Sequence, residues 1–269
     1  MNLDLSRKDI VTISGVFVSF LIFALLVSNL SVGFLVNIQN SFLKSMLLET
    51  RGMTTMSAIG FIINQFYTLL LAMIFVVLGF SFLSSYGFFK DERKIALFSG
   101  ICILPVLIVF RFSITSILLS AGIIITNIFV MSLSNTYGKE LKRWVLFRVG
   151  SNSIGKALMI INIMIAVGVF LSLLYNLSYY QNNFKSDLSS TLEKIVAESV
   201  PFGQQLPKEE ISKQITAAID NMPLFDAYIR WLPLLTAFGV WAMLEFLRVF
   251  LPLIGGIFTF VMIKLQKKK

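Results

Sequence analysis

Two stretches of this chain, residues 10–43 and 52–89, contain no charged side chain. Each is longer than the ~20 apolar residues with which an α-helix crosses a bilayer. A soluble core does not call for such length, so lipid is the solvent this sequence is suited to. In hydrocarbon every backbone N–H and C=O must be satisfied within the chain, which leaves helices and closed barrels. The residue-by-residue alternation of barrel strands is absent. The predicted fold class is therefore all-α, a polytopic transmembrane helix bundle in contact with the lipid bilayer. The composition agrees: 57% of residues are hydrophobic, 26 are Phe, and the mean hydropathy is +0.83.

Six crossings are predicted. Residues 11–36 and 59–88 form the first two, and the first is too long for a ~7–15-residue signal-peptide core, so it reads as an uncleaved anchor. Lys90-Asp91-Glu92-Arg93-Lys94 then turns the chain. Residues 95–133 would make one helix of roughly 58 Å, far more than a ~30 Å hydrocarbon core. Arg111 near the middle points instead to a tight hairpin of two crossings, 95–110 and 113–133, with Pro105 tilting or kinking the first arm. The fifth crossing is 157–180. The sixth starts at Trp231 and runs to about Leu251, where Pro252 and Gly255-Gly256 are expected to disturb regular helix. Residues 253–265 then read as a re-entrant or interfacial piece of a C-terminal unit, 231–269. A seventh crossing is the alternative.

Charge sets the orientation. Residues 134–156 carry five basic side chains against one acid, and the tail adds Lys264, Lys267, Lys268 and Lys269. Residues 181–230 carry five basic and seven acidic side chains. By the positive-inside rule both termini and 134–156 are cytoplasmic, and 181–230 is extracytoplasmic. A plasma membrane is the default location. Lys44 and Arg51, in the first external loop, run against this pattern. The net charge of +9 is spread over short segments between apolar runs, so it reads as topology rather than nucleic-acid binding. The external region is expected to hold two amphipathic helices. One carries Leu188, Leu192, Ile195 and Val196 on a stripe with a Ser190–Glu193 capping-box pattern inside it, and the other begins at Pro207. Tyr175, Tyr179, Tyr180, Tyr228 and Trp231 look like interfacial anchors.

Ionisable residues within spans are functional candidates, since a charge at mid-bilayer costs at least ~2.5–3.5 kcal/mol on insertion scales. Glu245 and Arg248 qualify. A helix starting at Trp231 places them roughly 21 and 26 Å from the outer face, so that Arg248 snorkels to the cytoplasmic interface with Glu245 one turn above. Their i,i+3 spacing lets them neutralise each other, as a structural pair or, alternatively, as a coupling pair for transport. Arg111 is solvated at a hairpin apex, and would suggest an anion site only if it lay mid-membrane. Asn64 and Gln65 are adjacent and face different directions. With Asn29, Asn127 and Asn162 they read as interhelical hydrogen-bonding residues, or alternatively as the lining of a pathway. Gly15–Ser19 and Ala24–Ser28 are small pairs that let the first helix pack closely.

Chemistry is restricted by what is missing. Without histidine there is no serine–histidine dyad, HExxH zinc site or bis-histidine haem. One cysteine makes neither an iron–sulfur nor a dithiol centre, and no glycine-rich phosphate loop occurs. The expected role is non-catalytic and cofactor-free: a scaffold or anchor subunit with protein partners or further copies of itself. Trp144 and Phe147 in the basic segment are expected docking residues. The alternative is a transporter or channel component using Glu245 and Arg248.

Overall fold

The first helix is started by a capping box. The Asp9 backbone N–H donates to Ser6 Oγ at 3.3 Å, and the Ser6 N–H donates to the Asp9 carboxylate at 2.7 Å. The computed structural model describes residues 6–28, 32–33, 35–36, 56–90, 93–199, 208–221 and 223–267, with residues 56–66, Arg93 and scattered positions in 187–226 described by backbone alone. Its elements are α1 (Arg7–Leu26), α2 (Met56–Phe89), α3 (Arg93–Phe98), a 3-10 turn (Ser99–Cys102), α4 (Ile103–Val109), α5 (Ile114–Glu140), α6 (Val145–Tyr175), α7 (Leu177–Ser199), α8 (Lys208–Asp220) and α9 (Pro223–Lys267). No strand occurs among the described residues. Among the described residues, five helices are long and apolar enough to cross a membrane: α1, α2 over Tyr67–Phe89, α5, α6, and α9 over Ala227–Lys267. Lys94–Val109 is apolar but shorter.

Contacts between helices fix their directions. Tyr86 at the end of α2 donates to Asp9 at the start of α1 (2.8 Å), and Gly15 lies against Phe82, so α1 and α2 are antiparallel. The α5–α6 pair is antiparallel, with Gly122 on Met164 and Gly168 on Thr115. So is α6–α9, with Gly155 on Pro252 and Gly256 on Phe147. Lys267 stands over the Phe88 ring at 5.5 Å, which brings the ends of α2 and α9 together. One end of the bundle therefore gathers the start of α1, the ends of α2, α5 and α9, and the start of α6. Helices α2 and α5 both run toward this basic end, so α3, the 3-10 turn and α4 climb back between them.

The core follows from these pairings. Val16, Phe20, Met73, Val77, Phe80, Ile123, Ile154, Leu158, Ile161 and Leu251 are buried in one cluster. Around it a wide perimeter of large apolar side chains is exposed, among them Phe129, Leu171, Phe238, Val249 and Ile257. An apolar perimeter around an apolar core suits lipid contact.

Several boundaries differ from the sequence reading. Helix α1 ends at Leu26, with Ser28 Oγ bonding back to Leu25 O, rather than at residue 36. The basic segment 134–156 is largely helical. It comprises the last turns of α5, a turn at 141–144 and the first turns of α6, which starts well before residue 157. Pro252 and Gly255-Gly256 do not break α9, a single helix of 45 residues. The proline ring and the glycines lie against α6 instead, where small residues let two backbones approach. Phe147 also packs there, on Gly256, so Trp144 alone of the two expected docking aromatics is fully exposed.

Beyond α6 the chain continues almost at once into α7. Ser190 and Glu193 lie within that helix, which starts at Leu177. Phe184 and Leu188 of α7 cluster with Ile229 of α9, with Leu192, Ile215 of α8 and Tyr228 packed against them. Pro207, the expected start of the second external helix, lies outside the described residues, as do Pro201 and Gly203, expected to end the first.

Candidate functional site: a polar centre at the middle of the bundle

The α6–α9 seam is the most extensive helix pairing in the molecule. Its register is set by close approaches: a Cβ on Gly150 would overlap Thr259 Oγ1, and one on Gly255 would lie 2.6 Å from Ile154 Cδ1. That register brings Asn162 of α6 opposite Glu245 of α9. Asn162 is fully buried, and its Nδ2 donates to Glu245 Oε1 at 3.1 Å. Arg248 Nε donates to the other oxygen, Glu245 Oε2, at 2.6 Å. Both carboxylate oxygens are thereby engaged, one across the seam and one along the helix.

Depth gives the arrangement its interest. At ~1.5 Å per residue Asn162 lies about 26 Å from Val145 and about 20 Å from Tyr175, the two ends of α6. The sequence reading ended the last regular helix near Leu251 and let Arg248 reach a nearby interface. Because α9 continues to Lys267, Arg248 is instead near the middle of the bundle, out of reach of its basic end. A lone charge there is costly, and a neutral pair with an amide donor on the carboxylate reduces that cost. The compensation is incomplete on one side. The Arg248 side chain retains 34% of its exposure against 18% for Glu245. Among the described residues, its terminal guanidinium nitrogens have no protein acceptor. Asn162 Oδ1, buried beside Glu245, also has no donor among the described residues. One turn on, Pro252 has no N–H to give to the Arg248 carbonyl.

No protein-family model, curated protein or solved structure matches the chain.

The other candidates fall elsewhere. Arg111 is exposed at the turn between α4 and α5, with φ 50, and Phe112 beside it has φ 53. Asn64 and Gln65 belong to α2, and their side chains lie outside the described residues. Asn127 is buried and its Nδ2 approaches Cys102 Sγ at 3.8 Å. A constellation the sequence reading missed joins three helices. Ser134 Oγ lies 2.8 Å from Ser84 Oγ and 3.1 Å from Ser153 Oγ, and Ser153 Oγ donates to Val149 O at 2.7 Å. All three serines are fully buried, and a chain of donation ending on a carbonyl satisfies them. Ser81, Ser84 and Ser85 at helical spacing were the available signal. The Asp9–Tyr86 bond was also missed, since nothing local connects residues 77 positions apart. Among the described residues no three Cys, Asp or Glu side chains gather as metal ligands do.

Proposed function

We propose that the chain is a non-catalytic integral membrane subunit, a scaffold or anchor that holds a partner helix within the bilayer. One observation carries this reading. Arg248 lies near mid-bundle with a third of its side chain exposed and its outer nitrogens unpaired among the described residues. Hydrocarbon offers those donors nothing, whereas a neighbouring transmembrane helix offers hydroxyl, amide or carbonyl acceptors. The Glu245–Arg248 pair is already neutral, so an uncharged acceptor fits better than a further carboxylate.

The topology proposed with it has six passes, both termini and the 141–144 turn in the cytoplasm, and α7 and α8 outside. The alternating helix directions and the basic residues at one end support it. A plasma membrane is the proposed location. The test is purification of the tagged chain in mild detergent. The wild-type chain is expected to bring down a stoichiometric membrane partner or a second copy, and Arg248→Leu to lose it while keeping its own helicity. A clean monomer from both overturns the reading.

A second reading, transport coupled to Glu245, is favoured by Asn162 Oδ1. If Glu245 takes up a proton, rotating the Asn162 amide brings its buried Oδ1, which has no donor among the described residues, to accept from the O–H. A proton-dependent flux in proteoliposomes that Glu245→Gln abolishes would establish this instead.

A further inference from the structure

The turn between α5 and α6 carries a feature that neither folding nor the polar centre requires. Trp144 adopts a left-handed backbone, φ 53 and ψ 33, a region that bulky residues rarely occupy. No side chain caps the helix it precedes, and its own indole is 81% exposed. The bend therefore presents the ring away from the bundle, on the same short turn as Lys142 and Arg143. Arg148 lies one turn into α6, and Lys264 and Lys267 are on the last turns of α9. All five cations are exposed, and none has an acidic partner among the described residues. Glu140 is the one acid in residues 134–156.

We propose that the Lys142-Arg143-Trp144 turn is a binding site for the headgroup of an anionic phospholipid. Three lines of chemistry converge on that occupant. An indole has an apolar body and one N–H donor, the combination that settles at headgroup depth. Clustered Lys and Arg beside a membrane are drawn to anionic lipid, with a preference of about fivefold for each cation at the surface. The turn also lies at the end of a helix pair whose outer faces are apolar, so a lipid whose phosphate rests on the cations can lay its acyl chains along Met159 and Ile163, which are exposed on α6. An acidic protein segment would match the charge but leave the indole and the apolar faces without a role. The proposal rests on the chain being membrane-embedded and is independent of whether Arg248 holds a partner.

The experiment uses the full chain with Trp231→Phe and Trp241→Phe, which leaves Trp144 as the sole tryptophan of the original three. It is reconstituted in phosphatidylcholine vesicles containing phosphatidylglycerol, with bromine placed on the acyl chains of one lipid or the other at equal total content. Brominated phosphatidylglycerol is expected to quench Trp144 at least about fivefold more effectively per molecule. K142Q/R143Q/R148Q should erase the difference. Should that variant fail to fold, raising the salt concentration on the unsubstituted turn should shrink the difference in the same way. Equal quenching by the two lipids overturns the proposal, as does a Trp144 that neither lipid quenches. A preference that survives both charge removal and salt also overturns it.

Discussion

Gly150 and Gly239 are both glycines inside apolar helices, and only their neighbours distinguish them. A methyl group at Gly150 meets Thr259 and the Gly255 carbonyl, whereas at Gly239 nothing among the described residues lies within 4 Å. Gly150→Ala should therefore force the α6–α9 seam apart, costing about 1–3 kcal/mol. Gly239→Ala should stabilise by up to about 1 kcal/mol through helix propensity. Thermal unfolding in mild detergent reads both, and the opposite signs are the prediction. The polar centre divides in the same manner. Glu245 and Arg248 are three residues apart, and their pairing was legible from spacing. Asn162 is 83 positions from Glu245, so its role depends on a register set by glycines elsewhere along the seam. Asn162→Leu should lower stability by about 1–3 kcal/mol, because Glu245 Oε1 is left without its donor. An unchanged melting temperature would mean that water reaches the carboxylate.

Whole helices were read best where length alone decided them. The hairpin at Arg111 followed from an apolar stretch too long for one crossing, and the chain does turn there. The Phe112 N–H donates to Leu107 O at 3.0 Å and the Arg111 N–H to Ile108 O at 3.2 Å, a Schellman closure of α4. Ser113 then caps α5 by accepting from the Ser116 N–H. Glycine is the usual residue at the left-handed position that Arg111 occupies, so Arg111→Gly should stabilise the turn by about 1 kcal/mol. Destabilisation by that change would reveal a contact made by the guanidinium that geometry does not account for. Where the reading of elements failed, it treated proline and glycine as breakers. Pro252, Gly255 and Gly256 are also small or flat enough to serve as a packing surface, and in lipid a missing backbone bond can be satisfied by neighbouring helices. Composition cannot choose between those uses, since the choice rests on whether a partner helix lies opposite. The basic run 134–156 was read only as a charged segment between crossings, and charge does not reveal helix. Charges at helix ends are compatible with helix, and the burial of Val149, Gly150 and Ser153 against neighbouring helices decides the matter.

For the molecule as a whole, the short segment 93–109 governs the depth of the hairpin at Arg111. Helices α2 and α5 both descend toward the basic end, so this segment must rise between them, yet it holds only 17 residues, about 25 Å even as continuous helix. Its far end is also set low. Thr115, just past the turn, packs on Gly168, about 10 Å short of Tyr175 by helical rise. An arginine at that level reaches an interface only by extending its side chain outward, as the exposure of Arg111 permits. Cysteine accessibility separates a full pass from a re-entrant one, with the buried native Cys102 replaced by Ala. In that background, single cysteines at Arg111, Arg143 and Lys213, all exposed, report the three levels. An impermeant maleimide added to intact cells should modify the positions at 111 and 213, and the one at 143 only after permeabilisation. Labelling at 213 but not at 111 would leave the hairpin within the membrane, with its arginine facing protein or lipid rather than water. Labelling at 143 from outside would reverse the orientation, and with it place the Lys142-Arg143-Trp144 turn against the opposite leaflet.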